Sequence, residues 1–299
     1  MNDLKIKTLT LVLVGLTLLS PFYAKAEVNS SELELSPAKV EVSLNPGESK
    51  EINLTLTNKT NRIISASLSV ENFLPSEDPI EVVKFTGPEN SIYAGRNFIF
   101  LNQTAFSVKA GETINLPVRV SAPTLTSHGG KFAAVFVTFG SEGEGSGTNL
   151  KSRLGSLFFI RVGSDYKESG KLAKFGLLND KRIFWNGKIN FFATFTNDGN
   201  VHLNPYGGIT TYGLWGNGVT EIKPWFVLPG ATRTRVVGGD SVGWKIGRYT
   251  ATLELNRGYQ DVIDTSSVSY WVISWRAISL ILLVLVGVAI VVTLRRKST

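Results

Sequence analysis

Few residue types in this 299-residue chain can do covalent chemistry, and they do not cluster. The chain has two histidines, His128 and His202, and no cysteine, so thiol nucleophiles and cysteine-based metal sites are excluded. His128 follows Ser127, but a serine hydrolase needs a third group that orients the base and a nucleophile on a strained turn, and no G-x-S-x-G occurs here. Both histidines are therefore interpreted as turn or strand-edge residues, and we predict a protein that is not an enzyme.

Hard oxygen ligands for a metal ion occur in two short stretches. Asn197, Asp198 and Asn200 form one, and Glu142 and Glu144 lie in a glycine-rich segment. A calcium loop gathers several carboxylates at regular offsets with a distal bidentate glutamate, whereas Asn-Asp-Gly-Asn is already explained by turn geometry. Neither the dinucleotide fingerprint nor the Walker sequence is present. We therefore predict no metal site and no cofactor.

Recognition chemistry is concentrated in aromatic residues of the C-terminal half. Some of them must lie in a core, because a sandwich interior commonly contains a tryptophan. Trp215 abuts the Asn217-Gly218 turn and Trp225 lies between two prolines, and such positions are hard to bury completely. Exposed aromatic side chains serve as rigid anchors for sugar rings or protein partners. The residues predicted to contact a partner or a glycan are Tyr206, Trp215, Trp225 and Trp244.

The elements that must position these side chains have the pattern of β-strands. Apolar and polar residues alternate over Val40–Leu44 and Ile52–Leu56, and a two-residue period is typical of half-buried antiparallel strands. Phe132–Phe139 is apolar on both faces, which predicts a central strand of a two-sheet stack. The segment Gly140–Asn149 is predicted to be a long flexible hairpin loop, with the return strand at Leu157–Val162.

The second half of the chain repeats the first in outline. Each half has a strand that ends in Thr-Asn, then a glycine turn that opens a strand, then a glycine that leads an apolar strand. The matched pairs are Ile52–Asn58 with Ile189–Asn197, Ala110–Thr113 with Pro229–Thr232, and Gly130–Val135 with Gly247–Leu253. Because the three pairs follow the same order, we predict two copies of a related β-module.

Both ends of the chain carry apolar segments. Residues 1–26 combine a short basic region, the apolar run Leu9–Leu19 and a small-x-small site, which predicts a signal peptide cut after Ala26. Ala277–Leu294 contains eighteen uncharged residues, about 27 Å of helix, and this predicts a transmembrane anchor at 271–294. Flanking tryptophans and basic residues predict its direction, with a cytoplasmic tail at 295–299. They are Trp271, Trp275, Arg276, Arg295, Arg296 and Lys297.

The net charge of +7 belongs mostly to these two ends. Residues 1–26 contribute +2 and the four basic residues around the predicted anchor contribute +4, which leaves about +1 for the remaining chain. The nearly neutral charge of the remaining chain argues against nucleic acid as a partner.

Short strands spaced by Asn, Gly and Pro turns predict an all-β protein. We expect two tandem immunoglobulin-like β-sandwiches, at residues 27–165 and 168–270, followed by one C-terminal transmembrane helix. The predicted localisation is the cell membrane, single-pass, with the N-terminal ectodomain outside.

The run Leu35–Glu48 resembles the first strands of pilus-chaperone-like immunoglobulin modules. The order of signal peptide, such a module with Gly129–Val135, second sandwich, anchor and basic tail resembles the WxL-interacting cell-surface proteins of bacteria. That resemblance implies an ectodomain that docks wall-associated partner proteins and touches peptidoglycan. It implies no individual binding residue.

Two functions follow as hypotheses. The first is a non-enzymatic, membrane-anchored scaffold whose modules engage an envelope protein or a cell-wall glycan through edge strands, loops and exposed aromatics. The alternative is a pilus-chaperone-like protein that binds partners by β-strand addition.

Overall fold

The computed structural model describes residues 33–76, 82–86, 91–140, 151–214 and 216–297. The predicted signal peptide, residues 141–149 of the predicted hairpin loop and Trp215 lie outside the described residues. Over the described ranges the chain is almost entirely β-structure, with eighteen strands and one C-terminal α-helix.

The first ten strands form two sheets of one β-sandwich. A short 3-10 helix, Arg96–Phe98, precedes the sixth strand. The strands are β1 (Leu33–Ser36), β2 (Lys39–Leu44), β3 (Ser49–Asn58), β4 (Ile64–Pro75), β5 (Val83–Thr86), β6 (Ile99–Leu101), β7 (Ala105–Val108), β8 (Thr113–Ser121), β9 (Gly129–Gly140) and β10 (Lys151–Val162). One sheet has the order β1-β3-β8-β6, and the other has the order β2-β10-β9-β4-β5, with β7 also paired to β4.

The next eight strands form a second sandwich on the same plan. A 3-10 turn lies at Leu178–Asp180. The strands are β11 (Gly170–Leu177), β12 (Ile183–Phe184), β13 (Lys188–Asn197), β14 (Tyr206–Gly213), β15 (Gly216–Ile222), β16 (Thr232–Ser241), β17 (Ile246–Asn256) and β18 (Ile263–Ile273). Their sheets have the orders β11-β13-β16 and β12-β18-β17-β14-β15.

The first strand of each sandwich divides between its two sheets. In the first sandwich β1 pairs antiparallel with β3, and after Pro37 the chain crosses over so that β2 runs parallel to β10. In the second sandwich β11 pairs antiparallel with β13, and β12 runs parallel to β18. This shared plan supports the prediction of two immunoglobulin-like β-sandwiches, while the predicted domain boundaries stay predictions.

The structure confirms the predicted repeat. The three matched segment pairs fall on β3 and β13, on the starts of β8 and β16, and on β9 and β17. The last residue of each first pair is a fully buried asparagine, Asn58 or Asn197. Asn58 N–H donates to Glu112 O at 2.9 Å and Asn197 N–H donates to Ala231 O at 2.9 Å, so the glycine turn of each copy is held by the same bond.

The two asparagine side chains have the same structural role. Asn58 Nδ2 donates to the carbonyl oxygens of Arg62, Val108 and Lys109, at 2.8, 3.1 and 3.0 Å. Asn197 Nδ2 donates to Val201 O and Val227 O, both at 2.8 Å. Each amide therefore satisfies at least one backbone acceptor that is buried from water.

Asn197→Ala is expected to lower the free energy of unfolding by ~1–3 kcal/mol. The reason is that buried Val201 O loses the Asn197 donor and buried Val227 O keeps only the N–H of Leu203, while both oxygens stay out of water. Urea denaturation of the variant measures the loss. Asn186→Ala, at an exposed position, is the matched control and should change stability by less than ~0.5 kcal/mol. Equal effects for the two variants would contradict the role assigned to Asn197.

Phe132–Phe139 is buried on both faces of the sheet, as the sequence predicts. One face of β9 contributes Ala133, Val135 and Val137 to the core of the first sandwich. The other face belongs to an aromatic cluster made of Phe73, Phe132, Ala134, Phe136, Phe159 and Leu228. Leu228 comes from the second sandwich, so β9 is covered on its second face partly by the neighbouring sandwich. A second core fills the second sandwich.

The prediction of a membrane-spanning anchor is contradicted. The C-terminal helix α1 spans Trp275–Lys297, and Trp271 lies in β18 rather than in the helix. Across the part of the chain that the structure describes, no helix combines the length and apolar character needed to cross a membrane.

The predicted single-pass localisation is corrected accordingly. The residues that flank the helix were predicted to orient it in a membrane, and this prediction required the transmembrane anchor. Trp271 pairs instead with Ile183 of β12 and Arg248 of β17, and Trp275 is the first residue of α1. Arg276, Arg295, Arg296 and Lys297 are residues of the same helix.

Candidate functional site

Strand β10 has a free edge over half its length. All twelve residues pair with β9, but β2 pairs only with Leu157–Val162. Within the described residues, no strand pairs with Lys151–Ser156 on the side away from β9. We call Lys151–Ser156 the open edge. A strand edge that is not covered offers unpaired N–H and C=O groups to another chain.

The direction of each backbone group along the open edge follows from one hydrogen bond. Leu157 N–H donates to Ala38 O at 2.9 Å, so its amide points away from β9. The pairing with β9 continues without a bulge, and backbone groups alternate sides along a strand. The N–H and C=O groups of Lys151, Arg153 and Gly155 therefore face outward, whereas those of Ser152 and Leu154 bond to β9.

The side chains along the open edge differ on the two faces of the sheet. Leu154 is half-buried and packs against the first core, as does Leu35 of β1, which lies against β10. Arg153 lies on the other face, pairs with Glu71 and places its guanidinium 3.2 Å from the ring centre of Phe136. Gly155 lies directly over the same ring, where a Cβ atom would approach Phe136 Cε1 to 2.7 Å.

Pro37 closes one end of the open edge. Ser156 is buried, and its hydroxyl donates to Pro37 O at 2.7 Å. Beyond this point β2 occupies the edge. An added strand would therefore lie in line with β2 and end at Ser156, which sets its length at about six residues.

The second feature is the contact between the two sandwiches, where aromatic rings meet. Phe159 of β10 is fully buried. Its ring centre lies 5.8 Å from that of Phe132, 4.9 Å from that of Phe226 and 4.7 Å from that of His202. Phe226 and His202 belong to the second sandwich, so Phe159 is a ring that both sandwiches share.

Polar side chains of β2 reach the second sandwich beside these rings. Lys39 Nζ donates to Asn204 Oδ1 at 2.8 Å, and Asn204 Nδ2 donates to Glu41 Oε1 at 2.9 Å. Lys39 and Glu41 also form an ion pair with each other. Lys39, Glu41, His202 and Asn204 are called the junction cluster. Because β2 also covers β10, the junction cluster fixes the strand that ends the open edge.

His202 is the buried titratable group of the junction cluster. Its side chain is 3% exposed, and its Nε2 lies 3.4 Å from Glu41 Oε1. Neither ring nitrogen makes a hydrogen bond of good geometry, so the contact with Glu41 is a close electrostatic one. Burial lowers the pKa of His202 below its ordinary value, and Glu41 opposes that shift. Contact with His202 is the largest cause that lowers the pKa of Glu41, with Lys39 and Asn204 adding to it and burial opposing it.

The predicted aromatic contacts do not form a single site. Tyr206, 42% exposed, lies where β14 pairs with Asn256 at the end of β17, and Trp244, 54% exposed, lies just before the start of β17. These ends are about 30 Å apart. Trp225 is 4% exposed and lies in the second core, so the expectation that it is hard to bury is wrong. Binding by Tyr206 and Trp244 stays a prediction.

Ser127 and His128 are not arranged as a nucleophile and its base. Lys131 Nζ donates to Ser127 Oγ at 2.7 Å and to Ile92 O at 2.8 Å, and His128 is exposed. In the described part of the chain no group of three or more His, Asp or Glu residues could hold a metal ion.

Sequence reasoning missed the open edge and the junction cluster. Strand β10 was expected only at Leu157–Val162, because Lys151–Ser156 lacks apolar alternation. Lys39 and Glu41 had the pattern of solvent-facing positions of a half-buried strand, and their partner Asn204 lies 165 positions from Lys39. The local sequence offers no signal for either feature.

No protein-family model and no curated protein matches the sequence. Among solved structures, the fold is similar to the class 5 fimbriae chaperone CfaA, with TM-score 0.40 and 11% identity over 80% of this chain and 98% of that one. It is also similar to the YadV chaperone, with TM-score 0.37 and 10% identity over 80% and 99% of the two chains. A third is a chain of the CsuC-CsuE chaperone-tip adhesion subunit pre-assembly complex of Acinetobacter baumannii, with TM-score 0.36 and 13% identity over 80% and 97%. With TM-scores below 0.5, these likenesses carry no functional conclusion.

Proposed function

We propose that this chain is a non-enzymatic binding protein whose first sandwich takes an extended segment of an envelope protein as an added strand on the open edge. The observation that carries the proposal is that β10 extends six residues past the strand that covers it. Strand addition obtains its affinity from main-chain hydrogen bonds and its specificity from side chains on alternate positions.

The chemistry of the open edge defines what the partner segment needs. Three outward N–H and C=O pairs, at Lys151, Arg153 and Gly155, set a short run of backbone hydrogen bonds. On the core side an apolar partner residue beside Leu154 would complete a part of the first core that is now half-buried. The partner segment is therefore extended, about six residues long, and apolar at alternate positions.

Amide hydrogen exchange of the protein alone should alternate along the open edge. The amides of Arg153 and Gly155 face outward and should exchange quickly, whereas those of Ser152 and Leu154 bond to β9 and should exchange at least ~10-fold more slowly. NMR exchange rates measure this directly. Uniform protection from 151 to 156 would show that something already covers the edge, and the proposal would fail.

Two substitutions of Arg153 test whether a partner binds at the open edge. Arg153→Pro removes the outward N–H at the middle of the open edge, and the proline ring blocks an approaching strand. Arg153→Gln removes the same charge but keeps the N–H. Proteins captured from an envelope extract by the wild-type chain should bind the glutamine variant and lose at least ~10-fold in affinity for the proline variant.

Two further measurements are needed to interpret the binding test. Both variants must show the wild-type thermal midpoint within a few degrees, because a proline that unfolds β10 would mimic the loss. The captured partner must also slow exchange at Arg153 and Gly155. A partner that binds both variants equally, or that leaves those two amides unprotected, binds elsewhere.

A further inference from the structure

The outer face of the sheet β11-β13-β16 carries lysines that a β-bulge has aligned. Lys171 pairs with Thr196 and Lys174 pairs with Thr194, with a register shift between Leu172 and Lys174. Residues three apart on a regular strand point to opposite faces, but the extra residue in β11 brings both lysines to the same face. Leu172 and Phe175 correspondingly both pack on the second core.

Threonine hydroxyls continue each lysine row across the sheet. Thr194 Oγ1 lies 2.7 Å from Thr234 Oγ1, and Thr196 Oγ1 lies 2.9 Å from Thr232 Oγ1. A hydroxyl pair holds two protons and uses one in its own hydrogen bond. Each pair therefore keeps one donor for a ligand above the face. Two rows result, Lys171-Thr196-Thr232 and Lys174-Thr194-Thr234, roughly 7 Å apart along the strands.

A third lysine lies on the same face. Lys188 alternates with the buried Ile189 and shares the outward side of β13 with Thr194 and Thr196. It lies about 20 Å along the strand from the Lys174 row. The set formed by Lys171, Lys174, Lys188 and the four threonines is called the lysine face.

No described carboxylate forms an ion pair with a lysine of this face. Among the ion pairs of the described residues, none includes Lys171, Lys174 or Lys188. Asp240 of β16 pairs with Lys245 and lies beside Gly218 of the opposite sheet. Asp198 lies in the turn after β13 and is exposed. The three lysines are exposed as well, so the face presents positive charge although the middle of the chain is nearly neutral.

The chemistry of the face distinguishes between classes of anion. Lysine binds phosphate as a compact point charge, and hydroxyl donors suit phosphate oxygens. Single-stranded nucleic acid needs aromatic side chains on which bases stack. The aromatic side chain here is Phe192, whose ring already has Lys174 Nζ 5.3 Å from its centre.

We propose that the lysine face is a binding surface for a linear polymer of phosphate groups that lacks bases. Successive phosphate groups lie over the two lysine rows, accept hydrogen bonds from the threonine pairs, and extend toward Lys188. The surface is on the second sandwich and is separate from the open edge, so one chain can hold a protein segment and a polyanion together.

Inorganic polyphosphate is the probe, and matched charge variants of the whole chain provide the test. The triple variant Lys171→Gln, Lys174→Gln and Lys188→Gln should bind polyphosphate at least ~10-fold more weakly at 0.1 M NaCl. Its log-log salt slope should be smaller by about 2, because each lysine releases roughly 0.7 counterion. The control triple Lys50→Gln, Lys59→Gln and Lys245→Gln has the same net charge but removes lysines already paired with carboxylates, and it should bind as wild type.

Other outcomes overturn the proposal. Equal losses in the two triple variants would mean that net charge alone binds the probe. Tighter binding of oligo-dT or of poly-glutamate than of polyphosphate, at equal charge and salt, would assign the face to nucleic acid or to an acidic protein. Asp198→Asn should tighten polyphosphate binding about 2-fold or more, and no change would show that the probe lies away from this end of the sheet.

Discussion

Phe159→Ala is expected to lower the free energy of unfolding by ~3–5 kcal/mol, the range for truncating a buried phenylalanine. The ring is fully buried and contacts aromatic residues of both sandwiches. Besides the rings already described, its centre lies 5.3 Å from that of Phe73, and Lys39 Nζ lies 5.0 Å above it. Removing the ring leaves a cavity that the surrounding strands cannot close, because their positions are fixed by sheet pairing.

The loss should appear in two measurements. Urea denaturation should show reduced stability, and hydrogen exchange should accelerate in Phe226–Ala231, the segment of the second sandwich that covers the aromatic cluster. Phe100→Ala is the matched control, because Phe100 is an exposed residue of the edge strand β6, and it should cost less than ~1 kcal/mol. A variant at Phe159 that destabilises the first sandwich but leaves exchange in Phe226–Ala231 unchanged would show that the two sandwiches do not depend on this ring.

Local patterns made the strands and the repeat predictable. Alternation of apolar and polar residues at Val40–Leu44 identifies β2, because only one face of that strand is buried in the core. The run Phe132–Phe139 is apolar at successive positions and identifies the central strand β9, because both of its faces are covered. The buried asparagines Asn58 and Asn197 were visible as a repeated Thr-Asn strand end. Each of these patterns is formed by residues that are close together in the chain, so it can be recognised from the sequence alone.

Properties set by distant residues were not predictable. Trp225 is flanked by prolines, yet it is buried because the two sheets of the second sandwich close around it, and Arg235 lies 5.7 Å above its ring. The length of β10 left uncovered depends on where β2 begins, over a hundred residues away. The apolar run Ala277–Leu294 predicted a membrane anchor, and that prediction is contradicted. Apolar composition alone therefore does not establish a membrane-spanning helix.

The junction cluster and the open edge are linked through β2. Lys39 and Glu41 hold β2 to the second sandwich, and the same strand pairs with Leu157–Val162. If β2 were free to leave, the whole of β10 would become an exposed edge, which favours uncontrolled pairing. The contact between sandwiches therefore limits the open edge to the six residues before Leu157.

Acidification from pH 7.5 to 5.5 is expected to destabilise the contact between the sandwiches. The folded protein disfavours the charged imidazole of His202, since burial lowers its pKa below 6.5, and Lys39 and Arg161 add to this. The unfolded chain binds that proton near pH 6.5, so the free energy of unfolding falls as the pH drops below this value, by at most ~1.4 kcal/mol per pH unit. Glu41, whose pKa is lowered in the fold, stabilises above its ordinary value of 4.5, and that contribution is lost as the pH falls below 4.5.

Several charged groups lie near His202, so the loss of stability on acidification must be assigned to His202 by substitution. They are Glu41 and Lys39 from β2 and Arg161 from β10, which is itself paired with Glu168 at 3.2 Å. His202→Phe keeps an aromatic ring at this position and removes the titration, so its stability should change much less between pH 7.5 and 5.5 than that of the wild type. His128→Asn, at the other and exposed histidine, should retain the wild-type pH dependence. Urea denaturation at the two pH values gives the comparison, and a His202→Phe variant that loses stability as steeply as the wild type would place the acid-sensitive group elsewhere.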